Sequence, residues 1–219
     1  MDALDIFNFS RYLQWSGSVI IAVACLPHFK TRGTPIKILG VYAITSIVFS
    51  LFQEISVQVF ANVGINNIGN AFVFLEALLF GLLYLNATKS RKFRNLVVVT
   101  ISLYCIVYLF AFLFFEHRSY SLIRTSRDLL MLLLALTYFY YLIQKLPEEN
   151  LLRFPMFWIN VAVIFFFSGT FFLSFMVDYL VSVLKNDLAG FWAFRNVFRF
   201  SFCLVLAYSG WLDWPAKER

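Results

Sequence analysis

Two arginines lie inside a long apolar stretch near the end of the chain. Residues 191–211 read FWAFRNVFRFSFCLVLAYSGW, with Arg195 and Arg199 four positions apart. On a helix this spacing places both side chains on one face. An arginine at mid-bilayer costs about 3 kcal/mol or more unless it finds a partner or water, and its planar fork binds carboxylate or phosphate groups. The two residues therefore predict buried ion pairs, an anion-binding site, or both.

Further charged residues within other apolar stretches could supply partners. They are the arginines Arg124 and Arg127 and the carboxylates Glu54, Glu76, Asp128 and Asp178. In one interpretation the charges neutralise one another and pin the helices together. In the other they line a polar chamber for a small polar or amphipathic ligand, with an anion held by the arginines. The candidate ligand-binding residues are Arg195, Arg199, Glu54, Glu76, Arg127, Asp128 and Asp178.

The composition predicts an integral membrane protein. Of the 219 residues, 61% are hydrophobic and only 14% are charged, whereas soluble domains carry about 25% charged residues. The net charge of +6 comes from bases between apolar stretches, where the positive-inside effect concentrates them. We therefore expect the lipid bilayer, and not nucleic acid, as the partner of the chain.

Seven apolar stretches approach the roughly 20 residues that a helix needs to cross a bilayer. We expect an all-α bundle of seven transmembrane helices forming one domain over residues 1–219. The connection 64–70, rich in Gly and Asn, is expected to be a turn. The predicted spans are 12–26 (with an alternative start within 7–9), 38–63, 71–85, 96–115, 122–146, 154–184 and 189–212.

Lysines and arginines are unevenly divided between alternate connections. One side receives eleven of them and the other receives Arg11, Arg118, Arg124 and Lys185, with Arg127 just inside its helix. The positive-inside rule makes the first side cytoplasmic. The N-terminus is then outside and the C-terminus inside. All the candidate residues except Arg199, which is close to mid-membrane, then fall in the outer half of the membrane.

Several kinds of chemistry lack the residues they need. No lysine lies deep in any stretch, which excludes a retinal Schiff base. The two histidines, His28 and His117, flank connections on opposite sides and cannot share a metal site. The three cysteines lie singly within apolar stretches and are expected to be buried hydrophobes. No hydrolase, nucleotide-binding or phosphate-loop motif occurs, so we expect no cofactor and no metal.

Segments 66–85 and 151–175 resemble an uncharacterised family of small seven-helix inner-membrane proteins of Bacteroidetes-type bacteria. The similar features are the asparagine-rich turn before Glu76, the Pro155-Met156-Phe157-Trp158 sequence and Ser168-Gly169. The resemblance implies the same topology and a bacterial cytoplasmic membrane, and the family carries no assigned reaction. The family pattern places a glutamate about where this chain has Arg127 and Asp128, so no role is carried over to that region.

We expect a receptor-like membrane protein that binds its ligand in an outward-facing chamber and acts through a signalling protein partner. A small-solute transporter is the first alternative, since a three-one-three helix repeat would fit the helix count. The surrounding residues of the two halves, however, do not match. An intramembrane enzyme acting on a lipid is the second alternative, although no nucleophile or metal site is evident.

Overall fold

Seven α-helices make up the described part of the chain. The computed structural model describes residues 3–59, 65–88, 90–114, 119–145, 151–184 and 188–214, and no strand occurs among them. A short 3₁₀ turn, Leu151–Arg153, precedes the sixth helix. The helices are α1 Ala3–Cys25, α2 Thr34–Val59, α3 Ile65–Ala87, α4 Arg91–Phe114, α5 Ser119–Lys145, α6 Pro155–Leu184 and α7 Leu188–Leu212.

The all-α prediction is confirmed, but helices α1 to α5 all begin earlier than the predicted spans, with the largest differences at α1 and α3. Helix α1 begins at Ala3, well before the predicted start at Tyr12. The predicted turn 64–70 is wrong for residues 65–70, which form the first turns of α3. Asn and Gly weaken a helix interior but are common at its start. The helix formed by the apolar residues that follow therefore extends back through residues 65–70.

Among the helices of the described residues, five are long and apolar enough to cross a membrane: α2, α3, α4, α5 and α6. Helices α1 and α7 are of similar length, at 23 and 25 residues. Polar residues interrupt their apolar character, namely Arg11 and Gln14 in α1 and Arg195, Asn196 and Arg199 in α7. The five spans make this a multi-pass membrane protein.

Six helices follow one another around a ring in the order α1, α2, α3, α5, α6, α7, and α7 packs along α1 to close it. Helix α4 packs against α3 and α5. Many of its apolar side chains, including Val99, Ile106 and Leu113, face away from the protein. An apolar surface of this kind suits contact with lipid. Because α3 and α5 are neighbours in the ring, residues of these two helices can meet in the interior.

Closely packed aromatic side chains join α6 and α7 in the interior of the ring. Phe166, Phe167 and Phe202 are almost fully buried and contact one another across α6 and α7. At Gly169 an added Cβ would lie 2.4 Å from the ring of Phe198, so a small residue is required where α7 approaches α6.

The cysteines behave as small apolar residues. Cys25 and Cys203 are buried, and Cys105 is partly buried. All three are free thiols. Cys25 lies against Gly210 and Cys203 against Gly17, so each fills a close contact between α1 and α7. The expectation of buried hydrophobes is confirmed for these two.

Two buried polar side chains outside the set of candidate residues form hydrogen bonds between helices. Asn160 accepts a hydrogen bond from the Tyr84 hydroxyl at 2.8 Å and donates to the Ala135 carbonyl at 3.0 Å. At the opposite end of the bundle, the buried Arg32 donates to the carbonyls of Ala24 and Gly210. Arg32 therefore satisfies carbonyls at the C-terminal ends of both α1 and α7.

Candidate functional site

The candidate residues meet at one end of the ring. The contacts described below join the N-terminal halves of α1, α3, α5 and α7 to α2 and α6. Because consecutive helices run in opposite directions, charged residues far apart in sequence reach the same depth. We call this part of the molecule the chamber end.

Glu76 is the centre of a buried ion-pair network. Its carboxylate is fully buried. Its Oε2 accepts a hydrogen bond from Nη1 of Arg127, and its Oε1 lies 2.8 Å from Nη2 of Arg199. The Tyr42 hydroxyl donates to the same Oε1 at 3.0 Å and accepts from Arg199 Nη2. Glu76 thus joins α2, α3, α5 and α7.

Asp128 completes the network on α5 and α6. Its Oδ1 accepts from Nε of Arg127 at 2.8 Å and from Nη2 of the same residue. Its Oδ2 accepts from the Ser174 hydroxyl at 2.7 Å. Adjacent residues on a helix rarely face each other, but the long arginine side chain folds back far enough to pair with its neighbour. Arg127 is therefore held between two carboxylates, Asp128 and Glu76, and is itself almost fully buried.

Aromatic rings surround the guanidinium of Arg199. The rings of Phe166 and Phe72 lie 5.3 and 5.4 Å from its Cζ atom, and those of Tyr42 and Phe202 lie 5.8 Å away. A cation over an aromatic face is attracted to it, more strongly when water is excluded. These rings help to stabilise the guanidinium inside the bundle.

Above this network lies a partly open cavity of about 460 Å³. Its size falls within the range of ligand pockets, roughly 300–1,000 Å³. Aromatic, amide, hydroxyl and arginine side chains all contribute to its walls. The lining residues are Arg11, Gln14, Trp15, Ser46, Phe49, Ser50, Gln53, Glu54, Ile68, Gly69, Phe72, Val73, Arg124, Arg127, Phe166, Trp192, Arg195, Asn196 and Arg199.

An ion pair between α1 and α2 forms part of the cavity wall. Nη1 of Arg11 lies 3.1 Å from Oε2 of Glu54, and both side chains are about a quarter exposed. The guanidinium of Arg11 also lies within 6 Å of the Tyr12 and Trp15 rings. Partly exposed pairs of this kind contribute about 0–1 kcal/mol. Unlike the Glu76 network, this pair can rearrange at small cost.

The seven predicted site residues occupy three kinds of position. Glu54, Arg127, Arg195 and Arg199 line the cavity. Glu76 and Asp128 lie behind it and pair with its arginines. Asp178 belongs to α6, and its side chain lies outside the described residues.

The sequence did not single out Arg11, Tyr42 or Ser174 as parts of the site. Arg11 was counted among the outer connections, but α1 begins early enough to bring it into the wall. Tyr42 and Ser174 sit in apolar stretches beside many similar residues, so no sequence signal distinguishes them. Among the described residues, no group of three His, Cys, Asp or Glu side chains is placed to hold a metal ion.

No family model, curated protein or solved structure matches the chain. The functional conclusion therefore depends on the geometry of the chamber end.

The side chains of the chamber end have a chemistry that suits binding. Arginines do not release protons at ordinary pH, and each buried carboxylate is engaged by at least one of them. The arrangement is suited to holding a polar ligand against arginine and aromatic side chains.

Proposed function

We propose that this protein is a seven-span receptor-like protein of the bacterial cytoplasmic membrane, in line with the family resemblance. Its chamber opens to the outside, binds a small polar or amphipathic ligand and transmits the binding event to a protein partner. The observation that carries the proposal is the 460 Å³ cavity above the Glu76 network. The other features below support the topology and the mode of action.

The distribution of bases supports an outward-facing chamber. The opposite end of the bundle carries Lys30, Arg32, Lys37, Arg91, Lys92, Arg94 and Arg153 among the described residues. Bases near the ends of transmembrane helices favour the cytoplasmic side. The chamber end then faces outward. Helices α1 and α7 count as the remaining two spans, because they pack along each other in the same ring as α2 and α6.

The floor of the chamber supports a receptor rather than a transporter. Arg127, Glu76 and Arg199 link three helices directly beneath the cavity. Below them, Phe80, Phe167 and Phe202 are buried and in mutual contact. A solute would have to break the ion pairs and part these rings to continue inward. Binding can instead act by shifting α7 relative to α3 through Arg199.

Native mass spectrometry of the detergent-purified protein tests the proposal. We expect an additional bound mass on the wild type that is reduced in Arg195→Gln, because Arg195 lines the cavity and lies one helical turn from Arg199. Arg94→Gln is the matched control, since Arg94 is exposed at the opposite end. Wild-type protein that carries no bound mass, and gains none from an extract of its native membranes, would contradict the proposal.

A flux assay separates the receptor from the transporter. The bound compound, once identified by its mass, is supplied in labelled form to proteoliposomes containing the protein. A receptor should bind the label at the surface without accumulating it inside. Time-dependent uptake that Arg195→Gln abolishes and Arg94→Gln preserves would identify a transporter.

A further inference from the structure

The arginine at the floor of the chamber has hydrogen-bonding capacity that the protein does not use. Arg199 reaches Glu76 and Tyr42 through Nη2 alone. A guanidinium carries five N–H donors, so Nε and Nη1 hold three more. None of these three has an acceptor among the described residues, and Arg199 lines the cavity. These donors are therefore available to a ligand.

The ion pair on the other nitrogen fixes where those donors point. Glu76 is fully buried and also paired with Arg127, which limits how far the Arg199 guanidinium can rotate. Donors held in place before binding lose little conformational entropy when a ligand arrives. A carboxylate or phosphate accepts such charge-assisted hydrogen bonds more strongly than a neutral group does.

The surroundings of Arg199 decide what else the anion must carry. Phe72 and Phe166 lie 5.4 and 5.3 Å from its guanidinium carbon and also line the cavity. Trp15 and Trp192 line the cavity from α1 and α7. A small hydrated anion would gain hydrogen bonds from Arg199 but would lose water on the side that faces these rings. An anion with an apolar body would bury that body against them.

We propose that the ligand is an amphipathic anion, in which a carboxylate or phosphate binds Arg199 and an attached apolar body packs against the aromatic walls. This rests on the proposed function and names the ligand class of the same chamber. The chemistry can come from a free aryl or acyl anion or from the headgroup of an anionic lipid. Arg199 is then the residue that selects for charge.

Three soluble probes separate the contributions of charge and apolar body. Benzoate carries both, acetate carries only the charge, and benzyl alcohol carries only the body. Isothermal titration of the purified protein should give at least about tenfold tighter binding of benzoate than of either other probe. Phenyl phosphate should share this advantage.

The Arg199→Lys variant tests whether the planar guanidinium of Arg199 binds the anionic group of the ligand. A lysine keeps the positive charge beside Glu76 but lacks the additional planar donors. The affinity for benzoate relative to that for benzyl alcohol should therefore fall about tenfold or more, while the protein still folds. Arg94→Lys, at the opposite end, should leave it unchanged. Thermal unfolding of both variants confirms that a loss of binding is not a loss of structure.

Each of the other possible outcomes either supports or overturns the proposal that the ligand is an amphipathic anion. If no soluble probe binds but an anionic lipid co-purifies and is lost in Arg199→Lys, the lipid is the source and the proposal stands. If benzyl alcohol binds as tightly as benzoate, the proposal is overturned while a ligand-binding chamber remains. If neither probes nor lipids bind, this proposal and the proposed function both fail.

Discussion

Replacing Glu76 by Gln removes one negative charge from the centre of the buried network. The change keeps the size of the side chain, so packing is preserved. Both Arg127 and Arg199 lose an ionic partner at once, because the two guanidiniums share this carboxylate. The glutamine amide also carries N–H donors that face the donors of one arginine or the hydroxyl of Tyr42.

The size of the effect follows from the burial of the group. Breaking a buried ion pair by changing one partner costs about 3–5 kcal/mol, and the fully buried Glu76 should lie in this range. For a chain of this length, 1 kcal/mol shifts the melting temperature by about 2–4 °C. We therefore expect Glu76→Gln to melt about 6–20 °C below the wild type.

Thermal unfolding followed by tryptophan fluorescence in detergent measures the shift, with Glu54→Gln as the matched control. Glu54 is about a quarter exposed and pairs with Arg11, so its loss should cost at most about 1 kcal/mol. The double variant of Glu76→Gln with Arg199→Met should be less destabilised than the sum of the single variants. A shift no larger than that of Glu54→Gln, or strictly additive effects, would refute the network.

Two further predictions concern packing and polar satisfaction elsewhere in the ring. Gly169→Ala should destabilise by about 1–3 kcal/mol, because its Cβ would lie 2.4 Å from the Phe198 ring, whereas Gly190→Ala meets nothing within 4 Å and should not lower the melting temperature in the same assay. Asn160→Leu should cost about 1–3 kcal/mol by stranding the buried Tyr84 hydroxyl. Adding Tyr84→Phe to that variant should recover most of the loss, and a double variant as unstable as Asn160→Leu would contradict this explanation.

The helices were predictable from sequence because each apolar stretch has spanning length. The pairing of charges was not, because it depends on the order of helices around the ring. Glu76 meets Arg127 only because α3 and α5 are neighbours and α4 packs beside them. Nothing in the sequence of α4 specifies this position, since its apolar residues are suited equally to lipid and to protein.

The role of Arg199 shows where sequence reasoning reached its limit. Its charge within an apolar stretch required a partner or water, and the structure provides a partner in Glu76. The helical spacing placed Arg195 on the same face, and both residues line the cavity. The contribution of Tyr42 could not be foreseen, because it depends on a hydroxyl of α2 reaching between two side chains of other helices.

The structure bears on the choice between charges that only pin helices and charges that also bind a ligand. Within the buried network, Arg127 and Arg199 balance Glu76 and Asp128, so pinning the helices requires nothing above them. Ion pairs that only join helices need no open space beside them. Here a volume of about 460 Å³ stays open directly above them. A purely structural role leaves that volume unexplained, whereas an anion with an apolar body would fill it and use the remaining donors of Arg199.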